Sequence, residues 1–403
     1  MMKILMISAP FPYPPSQGGT QVRTFNLLKQ LSQDHAITLV TQRSGHVTDA
    51  DIAQLREYVA ELQVFPPPSP PLGGKWRKGW RFGQAWLTGV PAHIRSQICP
   101  QMRAWVAAQA PRFTVITAEH TVNEVYLEPQ WRDRAQVVAN LHSSLSATVE
   151  QMLAAGTSDQ GRRDRLNLPL LRRYEQGYCG KFSHLVVTTP EDRAQFQRLS
   201  PNTPITVIPN GVDLDLFPMR TVDPGGAQLM FMGAMDNQPN IDAAQFLCRE
   251  ILPPLRAIMP DVTVALVGAR PGPAVQALGA LPGVTVWGKV AVMVEALHEA
   301  TLCVIPMRSG FGIKNKTLEA LAAGVPVVGS DRALEGLTID PQGAIRANTV
   351  GEFVAAIAGL LRSPEQRQAL AQAGRQYIET HFTWQAAAAR YATVLAGAMP
   401  PEL

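Results

Sequence analysis

The segment 306–328 carries the densest set of reactive residue types in this chain. It reads as a strand end, a glycine loop, a helix, a glycine stop and a second strand. Arg308, Gly310, Gly312, Ile313, Lys314, Lys316 and Thr317 collect in that loop and at the expected helix start. Backbone N–H groups at a helix N-terminus, the positive end of its dipole and nearby cations together suit a diphosphate. Glu319 lies one to two turns further on, where a carboxylate can accept hydrogen bonds from the two hydroxyls of a ribose. The plain alternative is a solvated basic loop with a surface glutamate. Glycines, cations and a carboxylate converging on one short segment favour the nucleotide reading.

Other candidates sit where strands are expected to end. Gly18 and Gly19 precede a helix, so backbone donors there can come close to a phosphate or a sugar. His142 leaves a strand end and is followed by Ser143 and Ser144, while His120 leaves another and competes with it. Asn210, Gly211, Gly233, Gly288 and Val290 are further positions expected to line a nucleotide pocket. No G-x-G-x-x-G string follows the first strand, which weakens an NAD oxidoreductase reading.

Short apolar strands alternating with amphipathic helices must position these residues. Strands are expected at 3–8, 37–41, 114–118, 136–141, 185–189 and 205–208, with a helix over 20–32. A second series has strands at 229–233, 262–268, 284–287, 302–305 and 325–329, with helices at 241–258 and 314–323. Continuous β-branched runs between helices indicate parallel sheets covered on both faces. The fold class is therefore α/β, with two Rossmann-like, doubly wound domains facing each other across a cleft. Segment 213–226 holds Pro218, Pro224, Gly225 and Gly226 and reads as the linker. The expected domains are 1–212 and 213–383, with a last helix near 384–403 returning to the first.

The bulk numbers agree with two globular domains. The chain has 403 residues, 46% apolar and 17% charged, with 36 Lys+Arg against 32 Asp+Glu. Cys99, Cys179, Cys248 and Cys303 are scattered, so neither a metal site nor a disulfide framework is expected. The start of the chain lacks the pattern of a signal peptide, and no segment has the ~20 apolar residues of a membrane span. The expectation is a cytoplasmic protein.

One region is biased. Between residues 62 and 118 there is no Asp or Glu, and Lys75, Trp76, Arg77, Lys78, Trp80 and Arg81 crowd together there. Tryptophan favours the bilayer interface and clustered cations an anionic leaflet. Two alternatives stand: aromatics covering the domain's own core, or peripheral docking on the inner face of the plasma membrane with a lipid-linked acceptor. Nucleic acid is not expected as a partner.

The chain resembles the family 4 glycosyltransferases, the retaining group with the GT-B fold. The likeness rests on 12–23 ending its loop in Gly18-Gly19, on Asn210-Gly211-Val212-Asp213, on Phe231-Met232-Gly233, and on the Glu319 helix running into Gly324-Val325-Pro326-Val327-Val328. Met235 to Asn240 and Gly312 to Lys316 look closest to a bacterial subgroup linked to exopolysaccharide assembly. The resemblance implies a sugar moved from a nucleotide-sugar donor, UDP favoured over GDP, to a glycan or lipid-linked acceptor, with no further cofactor. No metal is expected, because no Asp-x-Asp string sits at a strand end to hold one and the basic loop can carry the leaving charge. Glu319 matches the family's ribose-binding glutamate, and His142 matches its strand-end histidine. Phe311 stands where the family commonly has a first glutamate. Ala234-Met235-Asp236 stands where a basic donor residue is usual, which shifts the phosphate role to Arg308, Lys314 and Lys316. A GT-B nucleotide-sugar 2-epimerase and a non-catalytic partner protein of the same fold are the alternatives.

Overall fold

The computed structural model describes residues 1–15, 18–68, 87–154, 156, 158, 160–310, 312–339 and 341–401. The basic aromatic cluster at 75–81 and Phe311 lie outside the described residues. Two compact units are present. The first comprises Met1–Glu150, Gln160–Pro209 and Trp384–Leu403; the second comprises Asn210–Thr383 with Gln151–Asp159.

The first unit is built on a seven-stranded parallel sheet in the order β3-β2-β1-β4-β5-β6-β7. Its strands are β1 (Lys3–Ser8), β2 (Ala36–Gln42), β3 (Glu61–Phe65), β4 (Val115–Glu119), β5 (Gln136–Asn140), β6 (His184–Val187) and β7 (Ile205–Val207). Successive side chains of a strand point to opposite faces. Leu5 and Ile7 accordingly enter one apolar cluster, and Ile4 and Met6 enter the other. Both faces are covered, and this is why the strand sequence is apolar throughout rather than alternating. Helix α1 (Gly19–Leu31) covers one face beside the last helix, α4 (Trp384–Leu395).

The second unit repeats the plan. Its six parallel strands run β10-β9-β8-β11-β12-β13. They are β8 (Gln228–Met232), β9 (Thr263–Val267), β10 (Val284–Gly288), β11 (Leu302–Ile305), β12 (Val327–Gly329) and β13 (Ile345–Arg346). Two helices matter below, α2 (Gln238–Phe246) and α3 (Asn315–Ala322). In each sheet the order reverses beside the first strand: between β1 and β4, and between β8 and β11. Ligands of open parallel sheets bind at such switch points, outside the carboxyl ends of the strands.

Two elements differ from expectation. The helix expected over 241–258 is α2 followed by a π-helical turn at Leu247–Ile251 and a separate segment, Leu252–Ile258. Pro253 and Pro254 remove two backbone donors, so the regular i→i−4 ladder cannot run through. The edge strands β3 and β13 were not expected. Glu61 and Gln63 dilute the apolar signal in β3, and β13 has only two residues. No helix among the described residues is long and apolar enough to cross a membrane.

Candidate active site

The second switch point is packed from glycine outward. Gly233 follows β8, and a Cβ added there would stand 2.8 Å from both Asn240 Nδ2 and Lys316 Nζ. Gly268 follows β9, and its added Cβ would stand 1.7 Å from the Gly233 carbonyl oxygen. The backbones after β8 and β9 can therefore meet only because Gly268 lacks a side chain. The space left at Gly233 admits a lysine head group.

That lysine comes from α3. Lys316 and Glu319 are three residues apart and so share one face of the helix. On the opposite side Leu318 and Leu321 enter the core, and Thr317 Oγ1 donates to the Ala333 carbonyl at 2.8 Å. The Lys316 ammonium donates to Asn240 Oδ1 at 2.6 Å and lies 4.6 Å above the centre of the Phe231 ring. Asn240 is oriented in turn, because its Nδ2 donates to the Ala234 carbonyl at 2.9 Å. Burial, with the Lys314 charge assisting, lowers the Lys316 ammonium to about 7. Burial raises the Glu319 carboxyl to about 7, against the pull of Lys316. No hydrogen bond or ion pair involves the Glu319 carboxylate among the described residues. A desolvated carboxyl with open acceptor sites beside a partly desolvated cation is arranged to receive a ligand carrying hydroxyls and negative charge.

The remaining loop residues are engaged elsewhere. Arg308 Nε donates to Asp242 Oδ2 at 3.0 Å, and its Nη2 pairs with the same carboxylate. The guanidinium also lies 4.7 Å from the centre of the Phe246 ring. The Lys314 ammonium reaches Glu335 at 3.2 Å and the Gly310 carbonyl at 3.2 Å, and also bonds the Gly312 carbonyl. Gly310 and Gly312 have φ of 102° and 79°, a backbone that lets this loop fold over the Lys314 side chain. Ile313 is in the core. Asn210 Nδ2 donates to Asn315 Oδ1 at 2.7 Å, tying the Asn210-Gly211 turn to the start of α3. Gly288 ends the outer strand β10, and Val290, two residues on, packs against the core. Among the described residues no three His, Cys, Asp or Glu side chains gather as a metal-binding group.

In the first unit, Gly18 and Gly19 open α1 after β1, and α1 sends Arg23 inward. Arg23 Nε donates to Asn140 Oδ1 at 2.9 Å, and Asn140 Nδ2 donates to Glu119 Oε2 at 2.5 Å. Glu119 also accepts from Thr117 Oγ1 at 2.8 Å and from the Tyr391 hydroxyl of α4 at 2.9 Å. This buried network floors the region where His120 and His142 emerge, each just beyond a strand. Their rings stand edge to face with centroids 5.1 Å apart. His142 Nε2 is buried with no hydrogen-bond partner among the described residues.

Comparison with known proteins decides the family. The model described as Glycosyltransferase Family 4 matches residues 17–216, and that described as Glycosyl transferases group 1 matches residues 226–363. The chain carries the two domains of a family 4 glycosyltransferase. Over 218 residues this chain is 29% identical to the glycogen synthase of Mycobacterium tuberculosis, a match covering 49% of this chain and 50% of that one. It thus spans about half the length of the curated relatives it matches. Among solved structures, sucrose-phosphate synthase from Thermosynechococcus elongatus superposes with a TM-score of 0.70 at 19% identity, covering 98% of this chain and 99% of that one. The Anabaena HepE protein in complex with UDP and glucose superposes with a TM-score of 0.66 at 16% identity, covering 98% and 100%. The fold is GT-B.

Within this fold the expected site residues differ in the contacts they make. Lys316 comes beside Gly233, Glu319 shares its helix face, and Asn210 bonds Asn315 at the start of the same helix. Arg308 and Lys314, expected at the diphosphate, are turned into ion pairs with Asp242 and Glu335. Of Thr317 and Ile313, also expected at the donor, the first bonds the Ala333 carbonyl through its hydroxyl and the second packs in the core. Asn240, Phe231 and Gly268 position Lys316 and were not expected to. A glycine ending a strand at Gly268, matching Gly233, is the one signal that could have found them. Gly233→Ala should fold, because the colliding atoms are side-chain ends. It should displace the Lys316 ammonium, and calorimetry should show UDP binding about tenfold weaker, the loss of one good charge-assisted hydrogen bond.

Proposed function

We propose that this chain is a retaining glycosyltransferase that takes a hexosyl group from a UDP-sugar. The observation that carries the reading is the Lys316–Glu319 pair on one face of α3, set against Gly233 at the switch point. Lys316 is assigned to the donor diphosphate and Glu319 to the ribose hydroxyls. His142 is assigned to the acceptor side. In the reaction the bond from the anomeric carbon to the diphosphate oxygen breaks and UDP leaves with the electron pair. The acceptor hydroxyl oxygen bonds to the same face of that carbon, and its proton passes to the departing diphosphate oxygen. His142 then orients the hydroxyl and need not act as an obligatory base. HepE, a structural neighbour, was crystallised with UDP and glucose, which supports a UDP-sugar as donor. A glycan or lipid-linked acceptor in exopolysaccharide or cell-surface glycan assembly is the setting we infer.

A panel of UDP- and GDP-sugars scored by thermal shift and by nucleoside diphosphate release tests this. A ligand that binds only the native state raises the midpoint by mass action. Stabilisation by a UDP-sugar together with UDP release supports the proposal; no response to any sugar nucleotide refutes it. Lys316 can neutralise charge building on the leaving diphosphate, the part a divalent cation plays elsewhere. UDP release in EDTA should therefore equal that in Mg²⁺ or Mn²⁺. Release abolished by EDTA and restored by Mn²⁺ would show that a metal takes the leaving charge instead.

A further inference from the structure

His120 has a backbone that its residue type does not favour. Its φ is 77° and its ψ is 150°, a combination essentially reserved for glycine. Such strain persists only where the surroundings over-determine it. Here the His120 N–H donates to the Asn140 carbonyl at 2.8 Å, and the His120 carbonyl accepts from Asn123 N–H at 3.1 Å. Asn123 is itself fixed, because its Oδ1 accepts from Ala9 N–H at 2.7 Å. The end of β5 is thus tied to His120 directly, and the end of β1 through Asn123. A glycine would meet the backbone demand without cost, so the imidazole is what the strain retains.

The imidazole packs against His142. The rings lie 5.1 Å apart with an interplanar angle of 82°. His120 Nδ1 faces the Val122 N–H at 3.5 Å as an acceptor, which leaves the proton of a neutral ring on Nε2. His142 meanwhile keeps its own Nε2 without a partner among the described residues. A buried nitrogen left unpaired is unfavourable unless a ligand supplies the bond.

We propose that His120 is a positioning residue for His142, locking that ring edge to face so that its unpartnered nitrogen is ready for a sugar hydroxyl. The proposal rests on the transferase reading and adds the device that orients its acceptor-side histidine. The electrostatic setting fits a neutral pair. His142 is faced by His120 after β4 and by Arg23 on α1, and Glu119 at the end of β4 and Asp192 on the helix after β6 act in turn on Arg23. Burial holds His120 down to about 4. Burial, followed by His120 and Arg23, holds His142 well below the ordinary histidine range. A neutral imidazole can accept a proton-bearing hydroxyl or donate to an oxygen, whereas an imidazolium can only donate.

Two variants test this, His120→Gly and His120→Phe. The glycine variant removes the ring and relieves the backbone, so its melting temperature should equal or exceed that of the parent. Its kcat for UDP release from the responding UDP-sugar should fall roughly tenfold to a hundredfold through lost orientation, with KM for the donor unchanged. The phenylalanine variant keeps an edge-to-face partner and should recover most of the loss. In protein labelled at the imidazole nitrogens, NMR should show His142 titrating well below the ordinary histidine range in the parent and at higher pH in the glycine variant. Parental kcat in the glycine variant, a glycine variant that does not fold, or a His142 titration unmoved by either change would each overturn the proposal. A parent that releases no UDP would defeat the transferase reading alone, since the ring titration tests the histidine pair without turnover.

Discussion

Lys316→Ala should lower turnover of a UDP-sugar by about 10²–10³-fold, the range seen when one preorganised donor to a developing charge is removed. The ammonium is already oriented by Asn240 and seated over Phe231, so little reorganisation is needed when the diphosphate departs. UDP binding should weaken more than uridine binding, because the lost partner is the phosphate. The pH profile adds a second signature. Burial puts the free-state ammonium at about 7, and a bound diphosphate favours its charged form. In a Glu319→Gln background, binding then takes up a proton, and UDP affinity should fall as pH rises through neutrality, by up to about tenfold per pH unit. Lys316→Arg, which stays charged, should lose that decline. Equal losses for UDP and uridine in Lys316→Ala, measured by calorimetry, would remove Lys316 from the phosphate site.

Glu319→Ala should weaken UDP binding by about 2–4 kcal/mol, counting charge-assisted bonds to two ribose hydroxyls and discounting for non-additivity. That is on the order of 30- to 1,000-fold in Kd. The same change should not weaken the fold. The carboxyl is raised from 4.5 to about 7 by burial, so the folded protein holds a proton that the unfolded chain releases. A raised acid destabilises the fold as pH climbs from 4.5 to 7, and the penalty is full above 7. Glu319→Gln should therefore raise stability above pH 7 by about 1–3 kcal/mol while lowering UDP affinity. No such gain should appear below pH 4.5. Denaturant titrations at the two pH values, paired with UDP calorimetry, separate this pattern from that of a structural glutamate, whose loss would weaken the fold at both.

Much of this molecule was legible locally. Buried parallel strands must be apolar on both faces, and strands such as 3–8 and 302–305 announce themselves. A helix that starts after a glycine loop and stops at Gly324 is equally plain, and its i, i+3 spacing already puts Lys316 and Glu319 on one side. The strand order was not local information. Parallel neighbours such as β1 and β4 are joined through long connections, and no residue in either names its partner. Nor could composition say which cation of the loop stays near the ligand side. Arg308 is claimed by Asp242 and Lys314 by Glu335, carboxylates far along the chain that only folding brings within reach. Lys316 is in no ion pair among the described residues; Gly268 lets the backbones after β8 and β9 close up, and Gly233 leaves room for the lysine head group. The histidines show the same division. Their placement just after strands marked both as candidates. The contact between their rings, and the strained backbone that keeps it, arise only where β4 and β5 lie side by side in the sheet, because burial and neighbours rather than residue type decide what an imidazole does.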